Sequence, residues 1–170
     1  YAEGGASKLF PEAWHNLVKD LPVQDQQTPL NAYFQQLTGS DKVRQIAAAT
    51  TLDAWEGTIV TLRDHDYQPD PSKDAGPLAH ARIQLHFALN HCFIADNPLL
   101  DNIDVIRHIP TKIIHGRYDI VCPVKQSWEL QQQWPEVELN IVPMAGHAAG
   151  EPAIINALVK ATREFAQQLS

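Results

Sequence analysis

The chain has 170 residues, of which 44% are hydrophobic, and a formal net charge of −7. This length and composition predict a globular protein with one core, or a core and a small lobe, rather than a disordered chain. Its 13 Lys and Arg residues are scattered without a basic cluster. We therefore expect neither nucleic acid nor an anionic membrane surface as a partner.

Cysteine usage and the chain's ends bear on its cellular location. Cys92 and Cys122 stand thirty positions apart without a C-x-x-C pair, so the sequence predicts neither a disulfide framework nor a zinc site. No stretch reaches the apolar length of a membrane span, and the N-terminus lacks the order of a signal peptide. We expect a soluble, cytoplasmic protein. Because the chain opens at Tyr1 rather than at Met, we also expect it to be a piece of a longer protein.

Residues 1–104 are predicted to form helices joined by polar, proline-bearing loops, without a strand. Apolar residues recur at helical spacing in this region, over residues 11–20, 30–37, 41–55 and 78–93. The run over residues 64–77 is rich in Asp and Pro, a composition typical of loops.

From residue 105 onward, short apolar runs and helical patterns alternate. The runs 111–115 and 137–142 end at turn residues and are predicted to be buried strands. Helical spacing follows each run, over 123–134 and from Ile154 to Leu169. This order predicts a parallel βαβα unit and an α/β fold class. Functional residues of such sheets lie in the loops at the carboxyl ends of the strands.

These two loops carry an acid and a histidine. The first contains the run GRYD, which ends at Asp119, and the second contains AGH, which ends at His147, 28 positions later. Acid before histidine is the order of a hydrolase triad after its nucleophile, and imidazole and carboxylate are the groups that general-base catalysis needs. Alternatively, Asp119 caps the next helix and His147 closes a turn. Either residue alone leaves both interpretations open, but the pair on successive strand ends favours catalysis.

The nucleophile of such a triad is missing from the sequence. No G-x-S-x-G elbow occurs in the 170 residues, so we expect the nucleophile upstream of Tyr1. A metal hydrolase is not expected, because His86 and His91 do not share a helical face and no H-E-x-x-H occurs. The histidines other than His147 are predicted to be surface or packing residues.

Short motifs along most of the chain point to one family. They are EGGAS at 3–7 with FPE at 10–12, WEG at 55–57, ARI at 81–83, IRHIP at 106–110, HGRYD at 115–119 and WPE at 134–136. The succession of RHIP and GRYD is the most specific signal, whereas AGH alone is common to many hydrolases. With these motifs the chain resembles the proline iminopeptidases (prolyl aminopeptidases) of the α/β-hydrolase fold.

This resemblance implies the C-terminal part of an α/β-hydrolase fold, with residues 1–104 as a helical cap that roofs the pocket and residues 105–170 as part of the core. It implies a serine peptidase that releases an N-terminal proline from peptides, without a metal or organic cofactor. The chain alone is then expected to be inactive, because the nucleophile lies in the missing N-terminal part of the same protein. Its expected partners are that missing part and a peptide with a free N-terminal proline.

The resemblance also implies substrate-binding residues. Glu56 matches a cap carboxylate that binds the substrate's α-amino group, and Cys122 matches a cysteine near the proline pocket. Relatives often have a second glutamate where this chain has Gln84, whose amide accepts a hydrogen bond but contributes no charge. The alternatives are a solvated glutamate at position 56 and a small buried apolar residue at position 122.

Two other functions stay open. Gln84 in place of an acid favours an esterase or amidase of the same superfamily, and the missing elbow favours a non-catalytic binding or assembly fragment. An uncovered sheet edge also predicts an oligomer or a swapped assembly.

Overall fold

The computed structural model describes residues 4–62, 75–94 and 98–168. The chain divides into two compact units. The helical unit contains the described residues up to 59 together with 75–94, and the sheet unit contains 60–62 and 98–168. None of the helices in these ranges is long and apolar enough to cross a membrane.

The helical unit consists of α-helices joined by loops and 3-10 turns. The helices are α1 (Pro11–Val18), α2 (Leu30–Thr38), α3 (Lys42–Ile59) and α4 (Ala75–Leu89). Each of them overlaps a predicted helix, and the described part of residues 1–104 contains no strand, as predicted. The Asp41 carboxylate caps α3, because its Oδ1 accepts the N–H groups of Val43 at 3.0 Å and Arg44 at 3.3 Å.

Helix α4 departs from the prediction at both ends. It begins at Ala75 rather than at residue 78, because Pro77 lies in the first turn, where its missing N–H breaks no helical hydrogen bond. It ends at Leu89, and a 3-10 turn at His91–Phe93 follows with φ angles of 50°, 54° and 56°. The rest of the predicted loop, residues 64–74, lies outside the described residues.

The core of the helical unit lies among helices α1 to α4. Leu17, Leu37 and Leu85 are at most 2% exposed. Helix α3 turns one face to this core, at the i, i+4 and i+7 spacing of an amphipathic helix, with Ala48, Leu52 and Trp55. Because Trp55 packs in this core, the orientation of α3 is fixed, and with it the position of the next residue, Glu56.

The sheet unit is the predicted parallel βαβα arrangement. Strand β1 (Lys112–Gly116) is followed by α5 (Lys125–Gln133), strand β2 (Glu138–Val142) and α6 (Pro152–Gln168). The strands pair in parallel, and Gly116 at the end of β1 lies opposite Val142 at the end of β2. Since parallel strands run in one direction, the loops after both strands leave from the same edge of the sheet.

Helices cover both faces of this sheet. Consecutive residues of β1 point to opposite faces, so Ile113 packs in the cluster of Ile103 and Trp134, whereas Ile114 packs in that of Val142 and Ile154. Helix α5 and the 3-10 segment Leu100–Val105 therefore lie on one face and α6 on the other. The prediction of buried strands nevertheless holds only in part. Strand β1 is half-buried from Lys112 to His115, whereas β2 alternates exposed Glu138 and Asn140 with half-buried Leu139 and Ile141.

Candidate functional site

The candidate site lies where the loops that follow β1 and β2 contact each other. We call residues 117–122 the acid loop and residues 143–151 the base loop. The N–H of Arg117 donates to Val142 O and that of Tyr118 to Ala145 O, both at 2.9 Å. A Cβ atom on Gly116 would overlap Gly146 O and lie 2.6 Å from Ala145 O. Only glycine therefore allows the loops to approach this closely.

Asp119 lies in the acid loop and is only 8% exposed. Its Oδ1 accepts the N–H of Val121 at 3.0 Å and that of Cys122 at 2.8 Å. These bonds close the loop onto its own carboxylate, as in an Asx turn. The second oxygen, Oδ2, is left to contact side chains from elsewhere in the sheet unit.

His147 in the base loop bonds to that second oxygen. Its Nδ1 lies 3.0 Å from Asp119 Oδ2, so the contact expected from their strand-end positions is present. Because a carboxylate accepts, Nδ1 is the donor, which makes Nε2 the acceptor in the neutral ring. No hydrogen bond to Nε2 occurs among the described residues, and 38% of the imidazole is exposed. The ring can therefore accept a proton at Nε2 while the carboxylate orients it.

Backbone and carboxylate contacts fix the base loop. The N–H groups of His147 and Ala148 donate to Val60 O at 3.0 and 2.8 Å. Glu151 Oε1 accepts the N–H of Gly146 at 2.9 Å and that of Leu62 at 3.4 Å. Glu151 was not among the predicted site residues.

A second histidine lies against Asp119. His115 Nε2 is 2.8 Å from Cys122 O and 3.4 Å from Asp119 Oδ2, and its Nδ1 is 2.7 Å from Ser127 Oγ. The sequence pattern predicts a surface or packing residue at this position, but the polar atoms of His115 contact the acid loop. Its position one residue before the end of β1 and four before Asp119 was the available signal.

Cys122 lies at the end of the acid loop with an exposed thiol. Partial burial, and then the negative charge of Asp119, raise the pKa of this thiol. A raised pKa keeps the sulfur protonated and weakly nucleophilic at neutral pH. Its predicted role near a proline pocket stays a prediction.

The other two predicted binding residues lie close together in the helical unit. Glu56 on α3 and Gln84 on α4 line one small recess with His80. Glu56 Oε2 is 3.9 Å from His80 Nε2, whereas Oε1 is buried and has no hydrogen-bond partner in the described ranges. Burial raises the pKa of the Glu56 carboxyl, and the nearby Gln84 amide and His80 offset only part of that rise.

A metal site is not formed by the described residues. Among them, no three or more His, Cys, Asp or Glu side chains are grouped so that they could bind an ion.

Known proteins resemble the chain over almost its whole length. A probable proline iminopeptidase of Leptolyngbya boryana is 39% identical over 99% of the chain and 53% of its own length. The proline iminopeptidase of Xanthomonas citri is 38% identical over 98% of the chain and 54% of its own length. The proline iminopeptidase of Arabidopsis thaliana is 40% identical over 97% of the chain and 44% of its own length. The chain is a homologue of the proline iminopeptidases.

The homology confirms the resemblance predicted from the motifs. The chain spans about half the length of these curated proline iminopeptidases. No family model matches it.

Proposed function

We propose that this chain carries the triad acid, Asp119, and the triad base, His147, of a serine aminopeptidase that releases an N-terminal proline from peptides. The 3.0 Å bond from His147 Nδ1 to a buried carboxylate is the observation that carries this proposal. The names of the homologous proteins supply the substrate class.

In this mechanism the exposed Nε2 of His147 takes the proton of a serine hydroxyl as its oxygen attacks the prolyl carbonyl. The same nitrogen then returns the proton to the leaving amine. Asp119 keeps the proton of the neutral ring on Nδ1 and stabilises the imidazolium that forms. The serine would come from the half of the proline iminopeptidase length that this chain does not span.

The same proposal includes the fold of the whole protein. The parallel βαβα unit, with helices on both faces, is the arrangement expected for the C-terminal part of an α/β-hydrolase core. We assign the helical unit to its cap and the sheet unit to that core. Residues 60–62 and 98–104 then belong to the core, so this boundary differs from the expected break after residue 104.

Glu56 is proposed to bind the α-amino group of the substrate. Its Oε1 is buried and has no hydrogen-bond partner among the described residues, and burial raises the pKa of its carboxyl. An ammonium group would supply the missing charge and hydrogen bonds. Gln84 would accept one further bond, and Cys122 would border the proline ring.

The neutral Gln84 supports a second candidate function, an esterase or amidase without strict amine recognition. The two functions differ in their response to the substrate's amine. The aminopeptidase should cleave prolyl 4-nitroanilide much faster than its N-acetyl derivative, because acylation leaves Glu56 unpaired. Equal rates on both compounds, or faster turnover of a simple ester, would favour the second candidate.

The test uses a chimaera in which this chain replaces the matching part of the Xanthomonas citri relative. We expect it to hydrolyse prolyl 4-nitroanilide, whereas the chain alone should not. His147→Ala and Asp119→Asn should each lower kcat by about 10³ to 10⁴. In the asparagine variant, the single amide oxygen closes the acid loop and the amide NH₂ faces His147 Nδ1. This group cannot accept a hydrogen bond from Nδ1, so the imidazole loses its preference for the Nδ1–H tautomer.

Two exposed residues provide matched controls for these variants. His15→Ala and Asp101→Asn remove the same groups outside the site and should leave kcat within about two-fold. Full activity of the His147→Ala chimaera, or hydrolysis by the chain alone, would refute the proposed roles.

A further inference from the structure

We propose that His115 is a positioning residue that clamps the acid loop and orients Asp119 toward His147. The inference rests on the proposed function, because it assigns His115 a part in the same reaction. It rests structurally on one juxtaposition, since the His115 imidazole bonds the far end of the acid loop and also lies against the oxygen that binds His147.

The contacts of His115 determine where its proton lies. Its Nε2 is 2.8 Å from the backbone oxygen of Cys122, which can only accept a hydrogen bond. Nε2 must therefore carry a hydrogen. On the other side, Ser127 Oγ lies 2.7 Å from Nδ1, and a hydroxyl can donate to that nitrogen in the neutral ring. Strand β1 and helix α5 thus fix the imidazole from two directions.

This N–H points into the site rather than toward solvent. Asp119 Oδ2 is 3.4 Å from the same Nε2, and only 13% of the His115 side chain is exposed. The oxygen thus lies between two imidazoles, with His147 Nδ1 at 3.0 Å. The carboxylate cannot rotate without losing its bonds to His147 and to the loop backbone and its close contact with His115.

The hydrogen bond from His115 adds to those that Asp119 makes within the acid loop. Asp119 Oδ1 accepts the N–H of Cys122 at 2.8 Å, and Cys122 O accepts from His115 at the other end of the same peptide segment. Without the imidazole, the Cys122 carbonyl loses its side-chain partner, and this end of the loop keeps the bonds from the N–H groups of Val121 and Cys122 to Asp119 Oδ1. A packing residue would need only the volume of the ring, whereas this one uses both nitrogens.

Phenylalanine and glutamine separate these two roles. His115→Phe fills the volume of the ring but donates no hydrogen bond, whereas His115→Gln presents an N–H close to the position of Nε2. Because displacement of a catalytic group by about 1 Å costs up to about 10²-fold in rate, we expect His115→Phe to lower kcat of the chimaera by about 10- to 100-fold. KM should stay within about two-fold, since His115 is not assigned to substrate binding. His115→Gln should recover most of the loss.

A spectroscopic readout tests the inference without any activity. Long-range ¹H–¹⁵N spectra of the full 170-residue chain labelled at histidine should show a hydrogen on His115 Nε2. His147 should be in the Nδ1–H form, and His115→Phe should reduce the population of that form. The exposed His108 provides the matched control, and His108→Phe should leave both the spectra of His147 and kcat unchanged.

The outcomes are distinct. A His115 ring with hydrogen only on Nδ1 would overturn the proposed clamp, because Nε2 could not then donate to Cys122 O. So would a folded His115→Phe chimaera with unchanged kcat, or a His115→Gln variant as slow as the phenylalanine one. If instead the unsubstituted chimaera is inactive but the spectra are as expected, the proposed function fails and the positioning of Asp119 stands.

Discussion

Replacing Glu151 with alanine would leave two backbone N–H groups of the sheet unit without their side-chain acceptor. Glu151 Oε1 accepts from Gly146 at 2.9 Å, in the base loop, and from Leu62 at 3.4 Å. The first bond immediately precedes His147, and the second joins residues 89 positions apart. The substitution should therefore both destabilise the sheet unit and loosen the base loop.

The size of the effect follows from the geometry. A hydrogen bond to a charged group contributes about 1.5–3 kcal/mol, and the longer bond to Leu62 adds little. We expect Glu151→Ala to lower the free energy of unfolding by about 2 kcal/mol. Glu151→Gln retains an oxygen of the same reach without the charge, so its loss should be about 1 kcal/mol. For a chain of this size, 2 kcal/mol corresponds to about 4–8 °C in Tm.

Thermal unfolding and hydrogen exchange of the amides in the base loop would measure this effect. The control is Glu129→Ala, which removes a glutamate from the i,i+4 pair with Lys125 on the surface and should cost at most about 0.5 kcal/mol. If Glu151→Ala costs no more than the control, and Gly146 exchanges at the same rate in both, the reasoning is refuted.

Three further substitutions test the packing of both units. Gly116→Ala should destabilise by about 3 kcal/mol in urea unfolding, because its Cβ meets backbone atoms; Gly150→Ala, with open space around it, should cost under about 1 kcal/mol, and equal losses would contradict the close approach. Glu56→Gln should raise Tm at pH 7. Burial raises the folded-state pKa above the ordinary 4.5, so the native chain loses stability as pH rises through that window; a gain that persists below pH 4.5 would contradict this. Trp134→Phe removes the 3.2 Å bond from the indole N–H to Arg107 O and should lower the unfolding free energy by about 2 kcal/mol, whereas an unchanged urea midpoint would contradict it.

The sequence predicts the parallel unit and the acid–base pair for physical reasons. Short apolar runs that end at Gly116 and before Pro143 suit strands of a sheet that helices cover, and the helical spacing between them requires a crossover. Once the strands are parallel, both following loops share one edge of the sheet. The contact between Asp119 and His147 is a consequence of topology that the sequence pattern carries.

The partners of that pair could not be predicted in the same way. His115 contacts Asp119 because of the side to which its ring turns at the end of a twisted strand, and periodicity does not specify a rotamer. Glu151 and Leu62 are 89 positions apart, and nothing in their local sequence links them. The Asp and Pro residues of 64–77 predict a loop, but α4 begins at Ala75, because proline is compatible with a first helical turn.

The contacts of Asp119 are the reason why we expect the proposed site to be transferable as a unit. Its two oxygens have separate tasks, since Oδ1 closes the acid loop and Oδ2 lies against two imidazoles. All of these donors, and the Val60 carbonyl that binds the base loop, belong to the sheet unit. The orientation of His147 is therefore determined by residues that this chain itself contains. A chimaera supplies only what the chain does not span, so activity restored in it would be attributable to an acid and a base already oriented by their own loops.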